Sequence, residues 1–313
     1  MKPQKSFKIV YMGTPEFAVE PLRVLLNAGY NVVAVVTSPD KPAGRGREIK
    51  QSEVKRFATE HSLPVLQPEK LRDEHFINTL KSFSADLFIV VAFRMLPEIV
   101  WNMPPKGTVN LHASLLPDYR GAAPINHAII NGETTSGVTT FFITREIDTG
   151  EILLQKSVDI GCDETAGELH DKLMSLGSSL LLETVAGIEH NRIKPFPQPH
   201  KPNLKPAPKL FRDTCKIDWN QPADQVRNLI RGLSPYPGAW SELQIGTKSL
   251  QTKIFKASAE PGKTDVCPGT VRTDGKNFLK IACTDGYINV EELQAEGKKS
   301  MPVKSFLAGF RER

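Results

Sequence analysis

The sequence predicts an α/β protein, with a doubly wound parallel sheet in its first part and a smaller β-barrel domain after it. Three observations carry this reading. A chain of 313 residues has the length of two ordinary domains at about 150 residues each. Residues 1–190 alternate strand-like and helix-like patterns, as parallel strands joined by crossover helices do. After Ile217 the pattern changes to short strands separated by turns.

Taken in order, FKIVYMG (Phe7 to Gly13) reads as a buried strand. The following TPEFAVEPLRVLLNAG reads as a helix, with Thr14 as N-cap, Pro15 in the first turn and Gly29 as the stop. NVVAVVTS repeats the strand signal, and SEVKRFATEHS, PVLQP, EKLRDEHFINTLKSF, DLFIVVAF, LPEIVWNM and GTVNLH continue the alternation. In such sheets ligands bind outside the carboxyl ends of the strands, near a switch in strand order. That makes the residues just after Val109 and Asn110 site candidates. Residues 191–216 hold six prolines and read as a semi-extended connector. TKIFKASA, GTVRTD, FLKIACTDG and YINVEEL then supply the strands of the small barrel.

Several function classes are excluded or disfavoured. The longest apolar run, Leu87 to Phe93, is far short of the roughly 20 residues that span a bilayer. The N-terminus passes from a short basic tail into a strand with no apolar leader segment, so a cytoplasmic protein is expected. The four cysteines (Cys162, Cys215, Cys267, Cys283) form no CxxC pair and no zinc-type spacing, so reduced thiols and no metal are expected. The first strand-to-helix turn, GTPEF, has only Gly13 and so lacks the GxGxxG of a dinucleotide site. KPAGRGR (Lys41 to Arg47) is not followed by the GK[ST] of a phosphate-binding loop. The single DTG, Asp148 to Gly150, lacks the second loop that an aspartic protease of this length requires.

Charge is unevenly spread. Residues 1–190 carry a net −4, whereas 191–216 carry seven basic residues against Asp213 alone, a net +6, and 217–313 carry +3. Within the acidic first part, Lys41 to Arg56 set six Lys or Arg against Glu48 and Glu53. Clustered cations of this kind are either solvated surface or a footprint for a phosphate-bearing partner, because they release counterions from nucleic acid.

The densest polar constellation is VNLHASLLPDYRGAAPI, Val109 to Ile125. Asn110 and His112 lie two apart at a strand end and so point to the same side. An amide and an imidazole converging there are suited to holding the oxygen of a tetrahedral intermediate. Asp148, between two strand-like runs, is the carboxylate able to orient that histidine and stabilise its charged form. Taken alone, it is equally well a turn residue capping nearby amides.

Five motifs, in order, resemble those of the methionyl-tRNA formyltransferase family. They are GTPEFAVEPL (Gly13 to Leu22), PDKPAGRGR, NLHASLLPDYRGAAPI, IDTGEIL (Ile147 to Leu153) and IDWNQPADQVRNLIRGLSPYPGAW (Ile217 to Trp240). The resemblance covers nearly the whole chain. It implies a Rossmann-like catalytic domain over 1–190, a basic Pro-rich linker over 191–216, and a C-terminal OB-like tRNA-binding domain over 217–313. It also implies Asn110, His112 and Asp148 as the catalytic trio, and Ser114, Leu115, Leu116 and Pro117 at the folate site. Arg45, with Lys41 and Arg47, is implied at the tRNA. The implied reaction moves a formyl group from 10-formyltetrahydrofolate to the α-amino group of initiator methionyl-tRNA, without a metal, on a monomeric enzyme. The trio is shared with relatives that formylate amino-sugar nucleotides, so a sugar-nucleotide acceptor is the alternative; a tRNA-binding protein with an inactive enzyme domain is the other. The chain departs from the family pattern at VVAFRMLPEIV, where Arg94 and Met95 follow Phe93 beside the implied pterin pocket. There Arg94 is either a surface charge at a strand end or a residue approaching the folate.

Overall fold

The computed structural model describes residues 5–43, 48–246 and 248–309. The chain divides into two compact units. The first comprises residues up to 120 together with 137–158 and 170–205; the second comprises 121–136, 159–169 and everything from 206 onward.

The first unit follows the predicted alternation. In chain order it runs β1 (Lys8–Gly13), α1 (Val19–Asn27), β2 (Asn31–Val36), β3 (Lys41–Ala43), β4 (Glu48–Lys50), α2 (Glu53–Glu60), β5 (Val65–Leu66), α3 (Glu74–Ser82), β6 (Leu87–Val91), α4 (Glu98–Trp101) and β7 (Thr108–His112). After α5 (Pro124–Ile130), which belongs to the second unit, come β8 (Thr135–Phe142), β9 (Ile152–Asp159) and the long α6 (Ala166–Glu189). Seven strands form one sheet in the order β5-β2-β1-β6-β7-β8-β9. The first five pair in parallel, and β8 runs antiparallel to β7. Strand order reverses between β1 and β6, which puts the switch point at their carboxyl ends. β6, LFIVV, is buried at all five positions, as a strand covered on both faces must be.

Side-chain caps begin two of the helices. Ser52 caps α2 by accepting from the Lys55 amide, and Asp73 caps α3 by accepting from the Phe76 amide at 3.0 Å. The helix after β1 differs from expectation. Residues 16–18 form a 3₁₀ turn before α1 begins, and the Thr14 hydroxyl lies 3.0 Å from that of Ser38 instead of capping the helix. Gly13 is required by packing rather than by a ligand: a Cβ there would lie 2.6 Å from that of Ala18 and 3.1 Å from the Val91 carbonyl oxygen. The strands flanking the basic loop pair with each other, Lys41 opposite Lys50 and Ala43 opposite Glu48.

The second unit is built on an antiparallel sheet, β10 (Ala239–Ile245), β11 (Lys248–Pro261), β12 (Val271–Thr273), β13 (Leu279–Ala282), β14 (Gly286–Ala295) and β15 (Met301–Pro302), ordered β10-β11-β14-β13-β12 with β15 against β14. The β11–β14 register shifts around Lys256, an irregularity that bends a sheet, and the result is a half-barrel. Its core gathers Ile217, Trp219, Leu243, Ile254, Ile281, Ile288 and Leu293 with α7 (Ala223–Gly232) and α8 (Val303–Gly309). Gly232 of α7 lets α5 approach, since a Cβ there would meet Ile130 at 2.6 Å. The expected architecture, a Rossmann-like sheet followed by a smaller β-barrel-like unit, is thus the one observed.

Candidate active site

Polar groups converge at the carboxyl end of β7. Asn110 pairs with Val90 of β6 on one side and with Phe141 of β8 on the other, while His112 is opposite Thr139. His112 is buried, with 7% of its surface exposed. Its Nε2 lies 2.8 Å from the Tyr119 carbonyl oxygen. A carbonyl can only accept, so Nε2 carries the hydrogen and Nδ1 is left as the edge facing the Asp148 carboxylate. Nδ1 and Oδ2 of Asp148 are 3.9 Å apart, within ion-pair range but too far for a hydrogen bond. The Asn110 side chain is partly exposed, and its amide has no hydrogen-bond partner among the described residues. The structure therefore brings Asn110, His112 and Asp148 to one place, with the ring anchored at its far nitrogen.

The Ser114 to Pro117 turn is fixed from beneath. The fully buried Thr139 hydroxyl donates to the Ser114 carbonyl at 2.6 Å and accepts from the Leu116 amide at 3.2 Å. Gln155 of β9 donates to the Leu116 carbonyl and to the Thr139 hydroxyl, each at 2.9 Å. The Ser114 hydroxyl donates to the Asp118 carbonyl at 2.8 Å. Ser114, Leu116 and Pro117 are buried in this network, and only Leu115 of the four keeps partial exposure. Leu116 packs with Phe141 and Ile152 beneath the turn.

Asp148 sits in a constrained loop. Its φ is +54°, in the left-handed region where a non-glycine residue is strained. Two residues on, Gly150 admits no side chain, because a Cβ would fall 1.6 Å from the Phe142 carbonyl oxygen. A segment of the Pro-rich connector passes over this loop. Phe196 pairs with Ile152 through amide–carbonyl hydrogen bonds of 2.8 and 3.0 Å. Gln198 donates to the carbonyls of Asp148 and Gly150 at 2.8 and 2.9 Å, and its own carbonyl accepts from Arg120. Lys201 pairs with Asp118, and the Lys205 carbonyl accepts from the Tyr119 amide at 2.6 Å.

Sequence reasoning missed Gln198, Thr139, Gln155 and the Tyr119 carbonyl. Nothing local in the sequence singles out these residues, and the connector was legible only as extended and basic. Arg94 is turned onto the carbonyls of Pro68 and Glu69, the latter at 2.9 Å, and partial burial lowers its pKa from the ordinary arginine value. Arg45 and Arg47 lie outside the described residues, and Lys41 is exposed on β3. In the second unit, cations lie over aromatic rings: Lys209 over Phe211 at 5.7 Å, and Arg212 and Lys216 over Trp240 at 5.1 and 5.4 Å. Phe211 is 61% exposed. Among the described residues, no group of three or more His, Cys, Asp or Glu could hold a metal ion, and no helix is long and apolar enough to cross a membrane.

Comparison with known proteins bears on this arrangement. Residues 7–185 match the formyl transferase family, and residues 209–311 match the formyl transferase C-terminal domain. A methionyl-tRNA formyltransferase from Bacteroides fragilis is 55% identical over 311 residues, covering 98% of this chain and 96% of the relative. A methionyl-tRNA formyltransferase from Flavobacterium johnsoniae is 49% identical, covering 98% of this chain and 97% of the relative. Among solved structures, the sugar 3N-formyl transferase WlaRD, crystallised in the presence of dTDP and 5-N-formyl-THF, superposes with a TM-score of 0.65 at 22% identity, over 94% of this chain and 100% of that one. HypX from Aquifex aeolicus in complex with tetrahydrofolic acid gives 0.62 at 19% identity, over 97% of this chain and 47% of that one. These two likenesses show the shared fold.

Proposed function

Because the chain belongs to the methionyl-tRNA formyltransferase family, we propose that it transfers the formyl group of 10-formyltetrahydrofolate to the α-amino group of initiator methionyl-tRNA. The observation that carries this is the 55% identity to a methionyl-tRNA formyltransferase across nearly the whole of both chains, against 22% for the sugar formyltransferase.

The geometry supports a mechanism without a covalent enzyme intermediate. An α-amino group has a pKa of about 7.7–8.0, and esterification of the carboxyl lowers it, so much of the acceptor is a free nucleophile near neutrality. The amine attacks the formyl carbon, and the carbonyl electron pair moves to oxygen. The Asn110 amide and the His112 imidazole face that oxygen, while Tyr119 holds the ring by its other nitrogen. The Asp148 carboxylate takes the proton from the attacking amine, directly or through one water. The pair on oxygen then re-forms the carbonyl as the bond from the formyl carbon to the folate nitrogen breaks, and that nitrogen leaves with the proton Asp148 took from the amine. At the folate, Leu115 and the backbone of the Ser114 to Pro117 turn are the groups left to contact the donor, because the other three side chains face inward.

Acceptor recognition rests on the basic segments. Lys41, Arg45 and Arg47 reach the tRNA from the first unit. Exposed Lys194, Lys209, Arg212 and Lys216 add charge along the connector, and the exposed Phe211 ring offers a stacking surface. Residues 1–190 act as the catalytic domain, 191–216 as the basic connector and 217–313 as the tRNA-binding domain, in one monomeric cytoplasmic enzyme. The test is formylation by the purified protein of initiator methionyl-tRNA and, in parallel, of an amino-sugar nucleotide, each with 10-formyltetrahydrofolate. Turnover of the tRNA alone supports the proposal. Turnover of the sugar alone would replace it, and turnover of neither would favour the inactive-domain reading.

A further inference from the structure

The connector does more than span two domains. Its Gln198 amide uses both donors and its carbonyl oxygen in one place: Nε2 bonds the Asp148 and Gly150 carbonyls at 2.8 and 2.9 Å, and Oε1 accepts from Nε and Nη2 of Arg120 at 3.1 and 2.5 Å. The side chain is partly buried, and its backbone is registered on β9 by the Phe196–Ile152 pair two residues earlier. Both groups it holds adjoin reacting residues. Asp148 is strained at φ +54°, so its peptide needs outside support to stay in place. Arg120 directly follows Tyr119, whose carbonyl anchors His112.

From this geometry we infer that Gln198 is a positioning residue for formyl transfer: it clamps the Asp148 loop to the segment that anchors His112 and so sets the separation between carboxylate and imidazole. The inference rests on the proposed role of Asp148. Gln198 touches neither reacting atom, and the effect of its two donors passes through Asp148. Gly150, held hard against Phe142, fixes the other end of the same loop. With one end fixed by packing and the other by hydrogen bonds, loss of the Gln198 donors loosens the Asp148 end.

The test is steady-state kinetics on the full-length protein with methionyl-tRNA and 10-formyltetrahydrofolate, for Gln198→Met, Gln198→Glu, Asp148→Asn and the double variant Gln198→Met/Asp148→Asn. Gln198→Met removes every hydrogen bond of the amide at similar shape. Gln198→Glu keeps an acceptor for Arg120, removes the donors to the loop and sets an oxygen against its two carbonyls, so it remains informative where the Met variant folds poorly. Each Gln198 variant is expected to lower kcat about 10- to 100-fold, with KM for both substrates within threefold of the parent. The double variant is expected to be no slower than Asp148→Asn alone, because a residue acting only through the carboxylate has nothing to position once it is gone. A purely structural role would slow the double variant further, or raise KM. The positioning role is overturned if Asp148→Asn is inactive while both Gln198 variants turn over within twofold of the parent, or if the two losses multiply. If Asp148→Asn retains full kcat, the proposed role of Asp148 itself is wrong and the positioning role falls with it.

Discussion

The two units use β-structure in opposite ways. In the first unit, β1 and β6 are buried almost end to end, so polar side chains are pushed to the strand ends, where Asn110, His112 and Ser114 collect. In the antiparallel half-barrel, burial alternates along the strand. On β10, Ser241, Leu243 and Ile245 face the core while Glu242 and Gln244 face solvent. Polar side chains are thereby spread along a surface instead of being focused at a point. A doubly covered sheet makes a compact site for a small reacting group, and a half-covered sheet makes an area suited to a large polyanion.

If that contrast holds, substitutions in the first unit change turnover and substitutions on the second change acceptor affinity. The largest effect is expected at Asp148. Asp148→Asn should lower kcat by about 10²- to 10⁴-fold, measured under saturating substrates, with the circular dichroism spectrum unchanged; near-normal kcat would break the contrast at its sharpest point. Next is the support of the Ser114 to Pro117 turn. Thr139→Val leaves the Ser114 carbonyl, the Leu116 amide and one Gln155 donor without the bonds the hydroxyl supplied, and is expected to cost about 2 kcal/mol in denaturant unfolding. A loss below about 0.5 kcal/mol would mean the turn is held by packing alone. On the second unit, Phe211→Ala is expected to raise the tRNA KM roughly fivefold, the lower end of what one stacked base contributes, with kcat unchanged and the fold effect the same at every salt concentration, because a neutral ring releases no counterions. The smallest effect is chemical. Burial pushes the Cys283 thiol up to about 12 and raises that of Cys215, so at pH 8 neither presents thiolate. An alkylating reagent should therefore modify the exposed Cys162 and Cys267 and spare the other two until the chain is unfolded, as read by mass spectrometry.

These regions also differ in how far they can be read from sequence. The strands of the first unit are legible because continuous apolar runs such as LFIVV have no other stable use, and Asn110 and His112 are legible because alternation on a strand end forces them to one side. Asp148 is legible as a carboxylate between two strand-like runs, and the resemblance to a known family groups it with the other two. The cap assigned to Thr14 failed because a 3₁₀ turn intervenes and Ser38, distant in sequence, takes the hydroxyl. Gln198 was unreadable for a related reason. Its partners at 120, 148 and 150 are fixed only once β9 lies beside the connector, and no local pattern encodes a long-range clamp. The pairing of β3 with β4 was likewise hidden, since a basic, glycine-containing loop gives no alternation to read.

If chemistry belongs to the carboxyl end of β7 and acceptor affinity to the basic segments, the most direct test is His112→Ala, with turnover and methionyl-tRNA binding measured on the same preparation. The expected result is that kcat falls by at least about 10²-fold, the cost of one lost oxyanion donor, while the Kd for methionyl-tRNA stays within twofold. A folded variant that still turns over, or one that loses tRNA binding in proportion to turnover, would contradict that division of labour.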